Sequence, residues 1–112
     1  MMRTLAQAAG LIGVMAWSVS AQTAPVQAGK DLYAEKQCAR CHMVGGKGYK
    51  NGKLDGVARK MSADEMRKWL TAPAEMEAKL DHPPKVKMSS RKSMKLGDAD
   101  VTALVAYLMT LK

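Results

Sequence analysis

The sequence predicts an all-α domain, and three observations support this prediction. Apolar residues recur from Val101 to Leu108 at the i, i+3, i+4 and i+7 spacing of one helical face. Ser62 and Glu65 form a capping box, the pattern that marks the start of a helix. No segment alternates between apolar and polar residues over the length of a strand. A chain of 112 residues has the size of one domain.

Two elements are predicted in the first half of the chain. A helix is expected over Gln27–Gln37, with Tyr33 on its apolar side and Gly29 where another helix could approach closely. Repeated glycines then predict a loop from Gly45 to Gly56. This loop does not match the G-x-G-x-x-G spacing of a phosphate-binding loop, because Asn51 takes the third position.

The second helix is predicted to begin after Ser62. Pro73 ends this helix or restarts it as a short turn over residues 74–80. The apolar face of the helix comprises Met66, Trp69 and Leu70. The following His82-Pro83-Pro84 stretch must be extended, because each proline disfavours helix in the residue before it.

The last helix is predicted to begin near Gly97 or Asp98, after a polar and basic loop that ends at Lys95. Asp98 and Asp100 lie in its first turn, where carboxylates interact favourably with the helix dipole. Tyr107 lies beside the apolar face of this helix.

Residues 1–21 are predicted to be a secretory signal peptide. Arg3 supplies a basic start, the stretch Leu5–Val19 is largely apolar, and small residues precede a cut after Ala21, with Ala24 as an alternative cut. An uncleaved membrane anchor is the other interpretation, but the apolar run is short for a span of about 20 residues. We therefore expect a single domain over residues 22–112 in the periplasm of a bacterium, without membrane insertion after cleavage.

The predicted mature chain is basic and poor in aromatic residues. The net charge of +8 becomes +7 without Arg3, and the chain contains no Phe. A modest core of this kind is consistent with a bound cofactor that supplies apolar bulk. Positive charge favours encounter with an acidic partner, although a solvated basic surface would have the same composition. Nucleic acid is not an expected partner, because no basic helix carries interleaved aromatics. The loop and surface lysines are Lys47, Lys50, Lys53, Lys60, Lys68, Lys85, Lys87, Lys92 and Lys95.

The motif that carries chemistry is Cys38-Ala39-Arg40-Cys41-His42. C-x-x-C-H is the attachment pattern of c-type haem, in which two thiols bond the porphyrin and the histidine binds the iron. Two alternatives use the same residues. A zinc site could combine Cys38, Cys41, His42 and His82, but adjacent Cys41 and His42 make a poor tetrahedral set. A thiol–disulfide oxidoreductase would require a βαβ context, which the sequence does not predict.

The mature chain resembles the class I cytochromes c over nearly its whole length. The resemblance rests on Gly29 and Tyr33 in the first helix, the motif Cys38–His42, and the pair Tyr107-Leu108 in the last helix. It implies three to five helices wrapped around one covalently bound haem c, with the terminal helices crossing where Gly29 and Tyr33 meet Tyr107. It also implies Cys38 and Cys41 as the covalent attachment residues and His42 as an axial iron ligand.

The sixth iron ligand in this family is a methionine before the last helix. Met88 lies nine residues before Gly97, which is close to the family spacing, whereas Met94 lies nearly at the helix start. Met88 is therefore preferred, with Met94, His82 or an open site as alternatives. The other methionines of the predicted mature chain fit the role of core filler better. These are Met43, Met61, Met66, Met76 and Met109.

The chain departs from the family pattern at two prolines. No proline follows the motif to present its carbonyl to the axial histidine, so Gly52 or Lys53 would have to supply that carbonyl. Ser89 takes the place of the usual proline after the ligand methionine. Trp69 could donate its indole N–H to a haem propionate, or it could be a core aromatic.

The sequence thus predicts a monohaem carrier of single electrons between periplasmic redox proteins, cycling between Fe(II) and Fe(III) with His/Met ligation. Its partners would have acidic docking surfaces. The sequence contains no evident set of acid–base residues for catalysis on the distal side of the haem, so an electron carrier is expected and not an enzyme. The alternative is a haem c subunit that accepts electrons from a dehydrogenase in a fixed complex.

Overall fold

The computed structural model describes Gly10, Gly13 and residues 20–91 and 95–112, and it confirms the predicted all-α class. Five α-helices and one short hairpin lie within these residues. The elements are α1 Ser20–Glu35, β1 Met43–Val44, β2 Lys47–Gly48, α2 Val57–Lys60, α3 Ala63–Thr71, α4 Pro73–Ala78 and α5 Asp98–Leu108. Single 3-10 turns occupy Cys38–Arg40, Lys50–Gly52 and Met88–Ser90.

Helix α1 is longer at its start than the predicted Gln27–Gln37 and ends two residues earlier. It ends because Gln37 adopts a left-handed conformation, with a φ of 56° that a helix cannot continue. The predicted signal peptide, residues 1–21, lies almost entirely outside the described residues. In the part of the chain that is described, no helix combines the length and apolarity needed to cross a membrane.

The core forms on helix α5. The predicted apolar face is confirmed, since Val101 is 1% exposed and Leu104 is 2% exposed. Met66 of α3 packs against this face and is 2% exposed. Burying a side chain of this size stabilises the fold by about 1.5–3 kcal/mol. Two further predicted core methionines, Met61 and Met109, also pack against the cluster.

Helices α1 and α5 cross at Gly29, as the resemblance implied. A Cβ atom added at Gly29 would lie 2.0 Å from the backbone oxygen of Ala103 and 2.7 Å from the Cβ of Tyr107. Only glycine therefore allows the two backbones to come this close. One helical turn further along α1, the rings of Tyr33 and Tyr107 pack with centroids 5.7 Å apart and planes tilted by 60°.

Helices α3 and α4 follow the predicted signals. The Ser62 Oγ accepts a hydrogen bond from the backbone N–H of Glu65 at 3.2 Å, so Ser62 caps α3 as expected. Pro73 begins α4 at the first helical position, where its missing N–H is not needed. Arg67 of α3 donates to Thr102 Oγ1 of α5 at 3.0 Å, which links the two helices at the surface.

We expect Gly29→Ala to destabilise the protein by about 1–3 kcal/mol, because the added methyl group forces α1 away from Ala103. Elsewhere in a helix the same substitution stabilises by about 1 kcal/mol, so the sign of the change is diagnostic. Denaturant unfolding of the haem-loaded protein measures it. Ala28→Ser on the exposed side of α1 is the control, and an unchanged midpoint for Gly29→Ala would contradict the crossing geometry.

Candidate functional site

The Cys38–His42 motif forms one tight turn directly after α1. The backbone N–H groups of Cys41 and His42 both donate to the carbonyl of Cys38, at 3.1 Å and 2.9 Å. This turn brings the two cysteines and the histidine together in one five-residue segment. Both thiols are unpaired and half-buried. The turn therefore gathers two thiols and one imidazole, which is the group set that the motif predicts.

The imidazole of His42 is oriented by a backbone carbonyl. Its Nδ1–H donates to the carbonyl oxygen of Gly52 at 3.1 Å, which leaves Nε2 as the unprotonated nitrogen that a metal requires. The sequence offered Gly52 or Lys53 for this role, and the structure places Gly52 there. The Gly52 carbonyl thus takes the role that the resemblance to class I cytochromes c would give to a proline carbonyl.

Two glycines make this arrangement possible. A Cβ at Gly52 would lie 1.9 Å from the oxygen of Cys41, and a Cβ at Gly48 would lie 2.0 Å from the oxygen of His42. Gly48 also has a φ of 118°, which favours glycine. The next residue, Tyr49, donates its N–H to the His42 carbonyl at 3.0 Å. The predicted loop over 45–56 is therefore a close backbone cover for His42, with the β1–β2 hairpin at its start.

Burial sets the protonation of both groups at this turn. Burial lowers the pKa of His42, the Gly52 carbonyl partly offsets this and the charge of Arg91 lowers it further. Burial raises the pKa of the Cys38 thiol, which Arg91 partly opposes. The neutral imidazole is thus favoured at His42, and the neutral thiol at Cys38.

The turn that contains Met88 is held by polar contacts at both ends. The Glu77 carboxylate of α4 accepts hydrogen bonds from the backbone N–H and the hydroxyl of Ser89, at 3.0 Å and 2.7 Å. These bonds lower the pKa of Glu77 below its ordinary value. The Arg91 guanidinium donates to the carbonyls of Gln37 and Lys36, at 3.3 Å and 3.4 Å. The Met88 turn is thereby tied to α4 and to the residues just before Cys38.

The other predicted site residues lie in different settings. Trp69 is half-buried near the end of α3 and does not pack against the cluster that contains Met66. His82 is exposed at a bend, outside any helix or strand. Met94, the alternative to Met88, lies outside the described residues. Sequence reasoning missed Glu77 and Arg91, and the only signal for them was the unusual Ser89.

One buried polar atom has no protein partner among the described residues. It is the hydroxyl oxygen of Tyr33, at the crossing of α1 and α5. Burial raises the pKa of Tyr33 to about 12, with smaller contributions from the charges of Cys38, Tyr107 and Asp55.

The two alternative interpretations of the motif can now be compared with the geometry. Among residues 20–91 and 95–112, no group of three or more His, Cys, Asp or Glu side chains could hold a metal ion. A redox-active C-x-x-C lowers the pKa of its reactive cysteine, whereas the pKa of Cys38 is raised. Around the motif, the described residues form helices and one hairpin with strands of two residues each. They contain no βαβ unit.

Comparison with known proteins identifies the class. The family model described as cytochrome c matches residues 26–112, so the chain belongs to the cytochrome c family. Members of this family carry electrons through a covalently bound haem c, and their partners are redox proteins. Neither the curated proteins nor the solved structures contain a significant match to this chain.

The residues present fit a haem c group. Haem c attachment uses two thiols and an axial histidine whose second nitrogen has a hydrogen-bond acceptor. Cys38 and Cys41 are unpaired, and the Nδ1–H of His42 donates to Gly52. Gly48 and Gly52 let the covering loop lie directly against the backbone of Cys41 and His42.

We expect Gly52→Ala to raise the reduction potential, because the shifted loop weakens the hydrogen bond that makes the His42 imidazole a better donor. The clash with Cys41 should also cost about 1–3 kcal/mol of stability. Potentiometric titration and denaturant unfolding measure the two effects. Asn51→Ala in the same turn is the matched control and should leave the potential unchanged. A wild-type potential in Gly52→Ala would show that this carbonyl does not tune the site.

Proposed function

We propose that the chain is a monohaem carrier of single electrons, with His42 and Met88 as the axial ligands of the iron. The observation that carries this proposal is the hydrogen bond from His42 Nδ1–H to Gly52, because it frees Nε2 for a metal. The export signal predicted over residues 1–21 supports a periplasmic location for the mature chain Gln22–Lys112. The single C-x-x-C-H motif supports one haem.

Each residue of the site has a separate task in this proposal. The bound haem supplies a reversible one-electron Fe(II)/Fe(III) couple. Cys38 and Cys41 fix the group covalently, so it is retained through repeated cycles. His42, held by Gly52, keeps one orientation in both oxidation states. Met88 is a soft thioether ligand that favours the reduced state and closes the position where a substrate would otherwise bind.

Trp69 is proposed to donate its indole N–H to a haem propionate. Two observations support this role. The side chain is half-buried at the end of α3. It also lies apart from the cluster formed by Met66 and α5, which leaves its ring available for another buried surface.

We expect Met88→Ala to abolish the far-red absorption band of Met-ligated ferric haem, because the sulfur ligand is removed. The ferric spectrum should then become that of an iron bound by water or another weak ligand. Met94→Ala is the matched control in the same loop and should keep the band. Persistence of the band in Met88→Ala, together with its loss in Met94→Ala, would assign the ligand to Met94.

The charge distribution supports a partner with an acidic docking surface. Lys92 lies outside the described residues, and all of the other loop and surface lysines named above are exposed. Lys30 and Lys47 line a cavity of about 470 Å³ together with Ala39, the residue that follows Cys38. Positive charge therefore lies next to the attachment turn, where a partner would approach the haem.

We expect the rate of electron transfer to an acidic redox partner to fall as salt is added. The Debye length is about 8 Å at physiological ionic strength and shortens as salt is added, so the attraction between the two charged surfaces weakens. Stopped-flow kinetics over a salt series measures this. Replacing Lys30 and Lys47 together by Gln should lower the rate at low salt and flatten the series. A flat series for the wild-type chain would contradict electrostatic docking and favour the alternative, a haem subunit of a fixed dehydrogenase complex.

A further inference from the structure

The Met88 turn receives no support from the hydrophobic core. Residues 82–87, which lead into it, are all exposed and form no regular element. Met88 is itself half-buried but does not belong to the core cluster or to the side chains packed against it. The position of its sulfur must therefore be set by polar contacts with the rest of the protein.

Glu77 supplies the strongest of these contacts. This residue is only 6% exposed, and it is the one buried polar or charged residue among those that the structure describes. A buried carboxylate is unfavourable unless hydrogen bonds satisfy it. Both oxygens of Glu77 are used by one residue, since Oε1 accepts from the Ser89 N–H at 3.0 Å and Oε2 from the Ser89 hydroxyl at 2.7 Å. The carboxylate thus holds the residue adjacent to Met88 in a two-point, charge-assisted contact.

A second contact fixes the other end of the turn. Arg91 donates to the carbonyls of Lys36 and Gln37, which directly precede Cys38. Within the turn, the Arg91 N–H also donates to the Met88 carbonyl at 3.0 Å. The segment is therefore fixed on one side to α4 and on the other to the two residues just before Cys38.

We propose that Glu77 is a positioning residue that holds Met88 at the iron by clamping Ser89. This inference rests on the proposed ligation by Met88. Two hydrogen bonds restrict the residue directly after Met88, and both are accepted by one carboxylate on α4. Loss of the clamp lets the Met88 turn open more often, so a small external ligand reaches the iron more readily.

The test compares the affinity of the ferric, haem-loaded protein for imidazole, which competes with the methionine. Glu77→Gln and Ser89→Ala should each raise this affinity, by about tenfold for the loss of a charge-assisted contact. The backbone N–H of residue 89 should also lose protection from hydrogen exchange. Glu75→Gln, an exposed carboxylate on the same helix, is the matched control and should change neither quantity. The double variant should show less than the sum of the two effects, because both remove one contact.

Two outcomes would overturn the inference, and they are distinguishable. If Glu77→Gln and Ser89→Ala both keep wild-type imidazole affinity while Met88→Ala loses the far-red band, the clamp is wrong and the ligation stands. If Met88→Ala keeps the band, the ligation is wrong, and the role of Glu77 falls with it. Ser89→Ala alters an exposed side chain and should fold, so the test does not depend on the stability of Glu77→Gln.

Discussion

The close contact between Gly29 of α1 and Ala103 of α5 is the constraint on which the rest of the structure depends. Helix α1 leads directly into the Cys38–His42 turn, and α5 carries most of the buried side chains. Their crossing therefore fixes where the attachment turn lies relative to the core. Because no side chain separates the two backbones at Gly29, the crossing has little freedom to shift. The tyrosine pair one turn away adds a second contact with a defined tilt.

The C-x-x-C-H motif alone does not orient the imidazole of His42, and the backbone of a separate loop does so here. The C-x-x-C-H spacing brings two thiols and an imidazole to one turn, but the ring of His42 is oriented from elsewhere. Gly52 supplies the acceptor, and Gly48 and Gly52 allow the covering loop to approach. This carbonyl replaces the proline carbonyl of the family pattern. Ser89 is a similar case, because a hydrogen bond to Glu77 holds a position where the family pattern has a proline.

Features with local signals could be predicted from the sequence. The Ser62 cap, the restart at Pro73 and the buried face of α5 each depend on residues within a few positions of one another. Gly29 itself predicted a close helix contact, but its pairing with the last helix was expected only through the family resemblance. The clamp between Glu77 and Ser89 could not be predicted, because tertiary structure brings the two residues together and the unusual serine at position 89 does not indicate which residue it contacts. The early start of α1 at Ser20 could not be predicted, because Pro25 lies inside the helix and proline disfavours a helix interior.

We propose that the Cys38–His42 turn holds one covalent haem in an exported chain. The most direct measurement is the intact mass of the purified protein under denaturing conditions, where only a covalent group remains attached. We expect the mass of Gln22–Lys112 plus one haem. The mass of the polypeptide alone, or with more than one haem, would contradict it.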